Sequence, residues 1–164
     1  QLQLTQQSFS DYKAVWGAGF SWPSTTDHPS DRQEFGNLIL LKNDPLDFKV
    51  HQLPQPAAPG KYQMPRVAIE VCVDSSIGPV SIINTHLAYH DSKEVQTQLE
   101  RLHAIEVERL EHLKWPKAAG PGCFQEGYLA PARIFCGDFN FDPQSLHYQY
   151  QIGAYSYYLS MVCA

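Results

Sequence analysis

The stretch Arg133-Ile-Phe-Cys-Gly-Asp-Phe-Asn-Phe-Asp-Pro143 carries the strongest fold signal in the chain. Its apolar part, Ile134 to Cys136, is typical of a buried strand, and Gly137 ends that strand in a turn. The turn presents Asp138 and Asn140 with one aromatic residue between them. A carboxylate can hold a hard cation or position a water, and an amide can donate to a phosphoryl oxygen. Asp and Asn are also ordinary turn formers, so this motif alone leaves chemistry and structure open.

A second strand ends in the same kind of side chains. The apolar run Val80 to Ile83 is followed directly by Asn84, Thr85 and His86. One long amphipathic helix separates the two strands, which predicts a βαβ-like unit. In such a unit both polar ends fall on the same edge of a sheet, where open α/β sheets bind their ligands.

The helix between these strands is predicted to begin at Asp91, with Glu94 completing a capping-box pattern, and to end at Pro116. A stripe near the 3.6-residue period predicts its buried face, with Ile105 at the margin: Val95, Leu99, Leu102, Leu110 and Leu113. The charged positions are expected to face water: Glu100, Arg101, Glu108, Arg109 and Glu111.

A hairpin is predicted before this helix. Arg66 opens the strand Val67 to Val73, a turn follows at 75–79, and the His86 strand returns antiparallel to it. Because the start of one antiparallel strand meets the end of the other, Arg66 is expected close to His86. A guanidinium there can bind phosphate oxygens in a fork, and an Arg that only caps the sheet edge is the alternative.

Earlier in the chain, the stretch Gly17 to Ser30 is rich in Gly, Pro, Ser and aromatic residues, which predicts a long surface loop. A strand follows at Asn37 to Leu41, and Glu34 stands just before it.

Asn84-Thr-His-Leu87 and Gly137-Asp-Phe-Asn140, in this order and with a helix between them, resemble motifs of the endonuclease/exonuclease/phosphatase superfamily, the deoxyribonuclease I-like phosphoesterases. Arg66 and the run Phe35 to Leu41 are also similar to family features. The resemblance covers the span from Ser8 to Tyr148. It implies an α/β fold, part of a four-layer α/β sandwich of two β-sheets flanked by helices, incomplete at both ends. Residues 1–150 would form the partial domain and residues 151–164 an atypical tail.

The resemblance implies hydrolysis of a phosphoester or phosphodiester by an activated water, with Mg²⁺ or Mn²⁺ as cofactor. Asp138 would bind the metal and orient or deprotonate the water, and Asn140 would hold a phosphoryl oxygen or help to place the metal. His86 would donate a hydrogen bond to the oxygen where charge builds up, and Arg66 would bind the substrate phosphate. Relatives pair an acidic residue with the catalytic histidine, and Glu34 is the candidate here.

Four family features have no counterpart in these 164 residues: an Asn on the first strand, a metal-binding Glu on the second, and a late Asp and His. We therefore expect a central fragment of a longer enzyme, inactive by itself. Two other classes stay open. One is a non-catalytic module that binds a phosphate ester or a lipid. The other is a small zinc-binding interaction domain that uses His86 and His90 with Cys123 or Cys136.

Charge, apolar runs and cysteine spacing limit the possible substrate classes and cellular compartments. The net charge is −5, from 12 basic and 17 acidic residues, so the chain lacks the basic balance expected of a protein that grips long nucleic acids. The phosphoester substrate, whether small, lipid or nucleic acid, stays undetermined. No apolar run approaches the roughly 20 residues that span a bilayer. The four cysteines have no CxxC spacing, which favours a reducing compartment such as the cytoplasm.

Overall fold

The computed structural model describes residues 2–25, 31–115, 118, 120–124, 127–155 and 162–163. In chain order the elements are helix α1 (Leu2–Ser8) and strands β1 (Lys13–Pro23), β2 (Arg32–Leu41), β3 (Asp47–Gln52), β4 (Val67–Val73) and β5 (Val80–His86). They continue with helix α2 (Ser92–Lys114), a 3-10 turn (Gly122–Phe124), strand β6 (Ala132–Asp138), helix α3 (Leu146–Tyr155) and strand β7 (Val162–Cys163).

These strands form two sheets. Strands β1 and β2 pair antiparallel in a two-stranded sheet, and the other sheet has the order β3-β4-β5-β6-β7. In the larger sheet β3, β4 and β5 pair antiparallel, whereas β5, β6 and β7 run parallel. The predicted α/β class, the β4–β5 hairpin and the parallel pairing of β5 with β6 across helix α2 are therefore confirmed.

The larger sheet is packed on both faces. On one face Ile83 and Phe135 pack with Leu99 and Leu102 of α2. On the other face Ile69 and Val71 pack with Val15 of the two-stranded sheet. A strand buried on both sides carries a nearly continuous apolar run rather than an alternating one, and β4 has this pattern except at the half-buried Glu70.

Helix α2 begins as predicted, but its faces differ from the prediction. Asp91 is the N-cap, and its carboxylate accepts from the backbone N–H of Lys93 at 2.9 Å. Ile105 is fully in the core instead of at the margin, and Leu113 is exposed. Arg109 is buried, so its predicted exposure is wrong; its guanidinium donates to Glu106 and to a backbone carbonyl.

Glu94 also differs from the prediction. A capping-box Glu reaches back to the N-cap backbone, but this carboxylate is buried and turned inward. Its two oxygens accept from Gln63 at 2.9 Å and from Gln98 at 3.3 Å.

The predicted surface loop at Gly17 to Ser30 is wrong as far as Pro23, because β1 continues through this stretch and pairs with β2. The glycines that suggested a loop are there for close packing. A Cβ at Gly17 would collide with Ile69 of the larger sheet, and a Cβ at Gly19 would collide with the Pro65 carbonyl. Residues 26–30 lie outside the described residues.

Near the end of the described chain, α3 runs across residue 150, and β7 adds a short parallel strand beside β6. Within the described ranges no helix combines the length and the apolar character needed to cross a membrane.

Candidate active site

The parallel register of β5 and β6 brings His86 directly opposite Asp138. His86 Nε2 lies 3.7 Å from Asp138 Oδ2, and the pairing continues one residue further, where the backbone N–H of Leu87 donates to the Asp138 carbonyl at 2.9 Å. The side chains are 37% and 62% exposed, so the pair is open to solvent. The two polar strand ends do fall on one edge of the sheet, as predicted.

The turn after β6 is fixed by its own side chains. Gly137 has φ +127°, and a Cβ there would collide with the Thr85 backbone, so the position requires glycine. Asn140 adopts φ 54°, which Asn tolerates better than most residues. Its backbone N–H donates to Asp138 Oδ1 at 3.0 Å, and its side-chain Nδ2 donates to the Leu87 carbonyl at 2.8 Å. Since an amide nitrogen carries two N–H groups, the second can serve a ligand.

Arg66 lies immediately before β4, beside the end of β5, as the hairpin predicted. The residue is only 5% exposed. Among the described residues, no acceptor is within hydrogen-bond reach of its Nε and Nη1. Burial lowers the pKa of Arg66, and the negative charges of Glu94 and Asp138 partly offset this. Buried N–H donors without acceptors are costly, so this guanidinium is suited to receive an anion.

His86 is electrostatically coupled to the same group. Burial lowers its pKa first, and the positive charge of Arg66 lowers it further, while Asp138 acts in the opposite direction. At neutral pH the imidazole is therefore uncharged, and it can donate one hydrogen bond from its single N–H.

Glu34 lies on β2 in the two-stranded sheet. Its carboxylate accepts from Trp16 Nε1 at 3.2 Å and from Ser21 Oγ at 2.6 Å. Both oxygens are thus engaged within that sheet, and the carboxylate beside His86 belongs to Asp138. The pairing of Glu34 with the histidine stays a prediction.

Two cavities flank the site. One, of about 90 Å³, is lined by residues that include Tyr62, Met64, Arg66, Tyr89, His90 and Glu94. The other, of about 380 Å³, is lined by residues that include Asp138, Asn140, Phe141, Pro143 and Tyr148. The part of the smaller cavity formed by Tyr62, Tyr89 and Glu94 was not predicted from the sequence. Only their position beside the two strand ends could have pointed to them.

The donor groups at this edge do not complete a metal site. Among the described residues, no three or more His, Cys, Asp or Glu side chains converge on a point that could hold a metal ion. Asp138 offers one carboxylate, and its Oδ1 already accepts from the Asn140 backbone. Mg²⁺ prefers near-octahedral oxygen ligation, so these residues alone do not fit the ion. The magnesium and zinc sites stay predictions.

This fold is similar to that of several solved structures. An endonuclease/exonuclease/phosphatase family protein from Bacteroides thetaiotaomicron matches with a TM-score of 0.61 at 15% identity, over 94% of this chain and 50% of its own. The chain has the endonuclease/exonuclease/phosphatase fold. A mannosyl-6-phosphatase from Bacteroides thetaiotaomicron also matches with a TM-score of 0.61 at 15% identity, over 94% of this chain and 52% of its own.

The human Nocturnin catalytic domain with bound sulfate has the same fold, with a TM-score of 0.53 at 18% identity over 93% of this chain and 50% of its own. The chain therefore spans about half the length of the solved endonuclease/exonuclease/phosphatase structures that it matches. No protein-family model and no curated protein sequence matches it. Identities this low establish the fold, and the roles of individual residues rest on the site geometry.

Proposed function

We propose that this chain supplies part of the active site of a phosphoester hydrolase. One observation carries the proposal: the His86–Asp138 pair stands beside Arg66, a buried guanidinium with two donors that lack acceptors. A phosphoryl group has several anionic oxygens and accepts hydrogen bonds from a guanidinium in a fork. The site thus combines an anion-binding group with a carboxylate and an imidazole.

In the proposed reaction a water oxygen attacks phosphorus in line with the leaving group. Asp138 orients this water and accepts its proton as the new P–O bond forms, and the bond from phosphorus to the leaving oxygen breaks. Arg66 holds the non-bridging oxygens, to which Asn140 adds its second side-chain N–H. The neutral His86 imidazole donates a hydrogen bond to the oxygen on which negative charge builds up.

Dependence on Mg²⁺ or Mn²⁺ is a further part of the proposal, which follows from the family resemblance. Asp138 is the ligand that this chain would offer. Because the described residues do not fit a complete site, the steps above use protein groups only. Loss of turnover in EDTA and its return with Mg²⁺ is the expected result.

The test is hydrolysis of bis(p-nitrophenyl) phosphate by the whole protein, together with the binding of inorganic phosphate measured by calorimetry. We expect D138N to lower kcat by about 10²- to 10⁴-fold, as loss of a proton acceptor does. The exposed Asp44 provides the matched control D44N, which should leave kcat unchanged. R66M should raise the Kd for phosphate by roughly 10- to 100-fold, because charge-assisted hydrogen bonds are lost.

Each of these expected results has an outcome that would contradict it. Full turnover by D138N would remove Asp138 from the reaction. Unchanged phosphate binding by R66M would show that the anion does not bind at the buried guanidinium. Arg66-dependent phosphate binding without any turnover by the wild type would favour the non-catalytic phosphate-ester module, which needs only the anion site.

A further inference from the structure

The cavity that contains Arg66 is also lined by exposed aromatic and apolar side chains, which binding of a phosphate alone does not require. Tyr62 is 95% exposed and Tyr89 is 59% exposed, and Met64 is partly exposed beside them. All three line the cavity that also contains Arg66. Flat aromatic faces are thus left open to solvent next to a buried cation that lacks acceptors.

One wall is held firmly by the main helix. Tyr89 and His90 lie just beyond the end of β5, after Leu87 and Ala88, and their ring centroids lie 3.6 Å apart. The residue before them, Ala88, is buried, and its backbone N–H donates to Gln98 Oε1 of α2 at 2.9 Å. The two rings therefore stand on backbone that is fixed to the core.

The facing wall is tied to the start of the same helix. Lys61 Nζ lies 2.7 Å from Asp91 Oδ2, and Gln63 Nε2 donates to the buried Glu94 at 2.9 Å. These bonds hold the segment that carries Tyr62 and Met64 against α2. Backbone that is held in this way lowers the ordering cost of binding.

We propose that this cavity binds the base of a nucleoside phosphate while Arg66 holds its phosphate. The inference rests on the proposed function and names the substrate class of the same site. Nucleobases stack on exposed aromatic side chains, whatever their sequence, because every base has a π-face. The imidazole of His90 in the wall can form a hydrogen bond with the polar edge of a base, which an acyl chain cannot do.

The charge balance limits the size of this ligand. The chain carries −5 overall, and the negative charges of Glu94 and Asp138 both act on Arg66. Tight binding of a long nucleic acid relies on many phosphate contacts from a basic surface. A mononucleotide needs only one such contact, and we therefore assign the cavity to a mononucleotide.

The test compares AMP, ribose 5-phosphate, inorganic phosphate and dihexanoyl phosphatidic acid by calorimetry on the whole protein. We expect AMP to bind about tenfold or more tightly than ribose 5-phosphate, as base stacking predicts. Y89A should abolish this difference and leave the Kd for inorganic phosphate unchanged. Two controls should keep the difference: Y148A in the neighbouring cavity, and Y128A at an exposed tyrosine in a separate recess.

The outcomes distinguish failure of the nucleotide assignment from failure of the proposed function. Equal affinity for AMP and ribose 5-phosphate, or a preference for the phosphatidic acid, would overturn the nucleotide assignment and leave the phosphate site standing. Loss of the AMP preference in Y148A instead of Y89A would place the base in the other cavity and also overturn it. Failure of the wild type to bind any of the phosphate probes would overturn the proposed function itself.

Discussion

Two buried arginines of the larger sheet, Arg133 and Arg66, differ in what surrounds them. Each is 5% exposed. Arg133 donates to Ser81, to Glu106 and to Glu70. Arg66 has two donors for which the described part of the chain provides no acceptor. A buried arginine whose donors are bonded to carboxylates holds a fold together, whereas buried N–H donors without acceptors are available for a ligand.

The paired arginine belongs to a network that fastens helix α2 to the sheet. Glu106 of α2 accepts from Arg133 at 2.8 Å and from Arg109 at 3.0 Å. Glu70 of β4 also accepts from Ser81 at 3.1 Å, and its other oxygen lies 2.9 Å from His51 Nε2. These bonds join β3, β4, β5 and β6 to the helix, away from the His86 edge.

The largest expected effect contrasts the two arginines directly. R133M should lower the free energy of unfolding by about 3–5 kcal/mol, because it removes the one positive charge that Glu106 and the half-buried Glu70 share. Glu106 would keep only Arg109, and Glu70 only Ser81 and His51. R66M makes the same chemical change but removes donors that lack acceptors, so its effect should stay within about 1 kcal/mol. Urea denaturation of both variants measures the contrast. Equal losses would show that Arg66 is as structural as Arg133.

A smaller effect should appear on acidification. Burial alone would raise the pKa of Glu70, but the hydrogen bond from His51 and the charge of Arg133 outweigh it and hold the pKa at about 2. A carboxyl with a depressed pKa contributes stability above its unfolded value and loses it as pH falls. The wild type should therefore lose about 3 kcal/mol between pH 4.5 and about pH 2.

The control for this pH dependence is a matched pair of glutamates. E70Q should abolish the acid-induced loss, whereas E100Q, at an exposed position of α2, should keep it. Denaturation midpoints measured at several pH values give the comparison. An unchanged pH profile in E70Q would assign the acid sensitivity to other carboxyls.

Sequence patterns predicted the parts of this structure that local or adjacent residues decide. Strand β4 was predicted with its observed ends, and the N-cap at Asp91 was predicted from one polar side chain before an apolar stripe. The position of Arg66 followed from a single hairpin. The meeting of the strand ends at His86 and Asp138 followed from one βαβ-like unit.

The sequence did not predict contacts between distant residues. Arg109 looked solvated because charges on a helix face usually are, but its partner Glu106 is also bonded to Arg133, 27 positions further along. The aromatic cavity was missed for a related reason. Tyr62 lies in an irregular segment without a period, so nothing local shows that the fold brings it to Arg66. For Tyr89 the available signal was its position just after the strand end at His86.

The smallest expected effect tests whether Arg66 shares its anion with His86. Sulfate keeps its charge between pH 7.5 and 5.5, and a guanidinium stays protonated over this range. The pKa of His86 is lowered by burial and by Arg66, and a bound anion favours the protonated imidazole. Sulfate should therefore bind about three- to tenfold more tightly at pH 5.5 than at pH 7.5.

Two histidine variants decide the source of this pH dependence. H86Q should bind sulfate with the same Kd at both pH values, whereas H90Q, in the wall of the cavity that contains Arg66, should keep the dependence. If H86Q keeps it as well, the sulfate bound by Arg66 does not contact His86. The anion site and the His86–Asp138 pair would then act separately, and Arg66 would bind a part of the substrate remote from the bond that breaks.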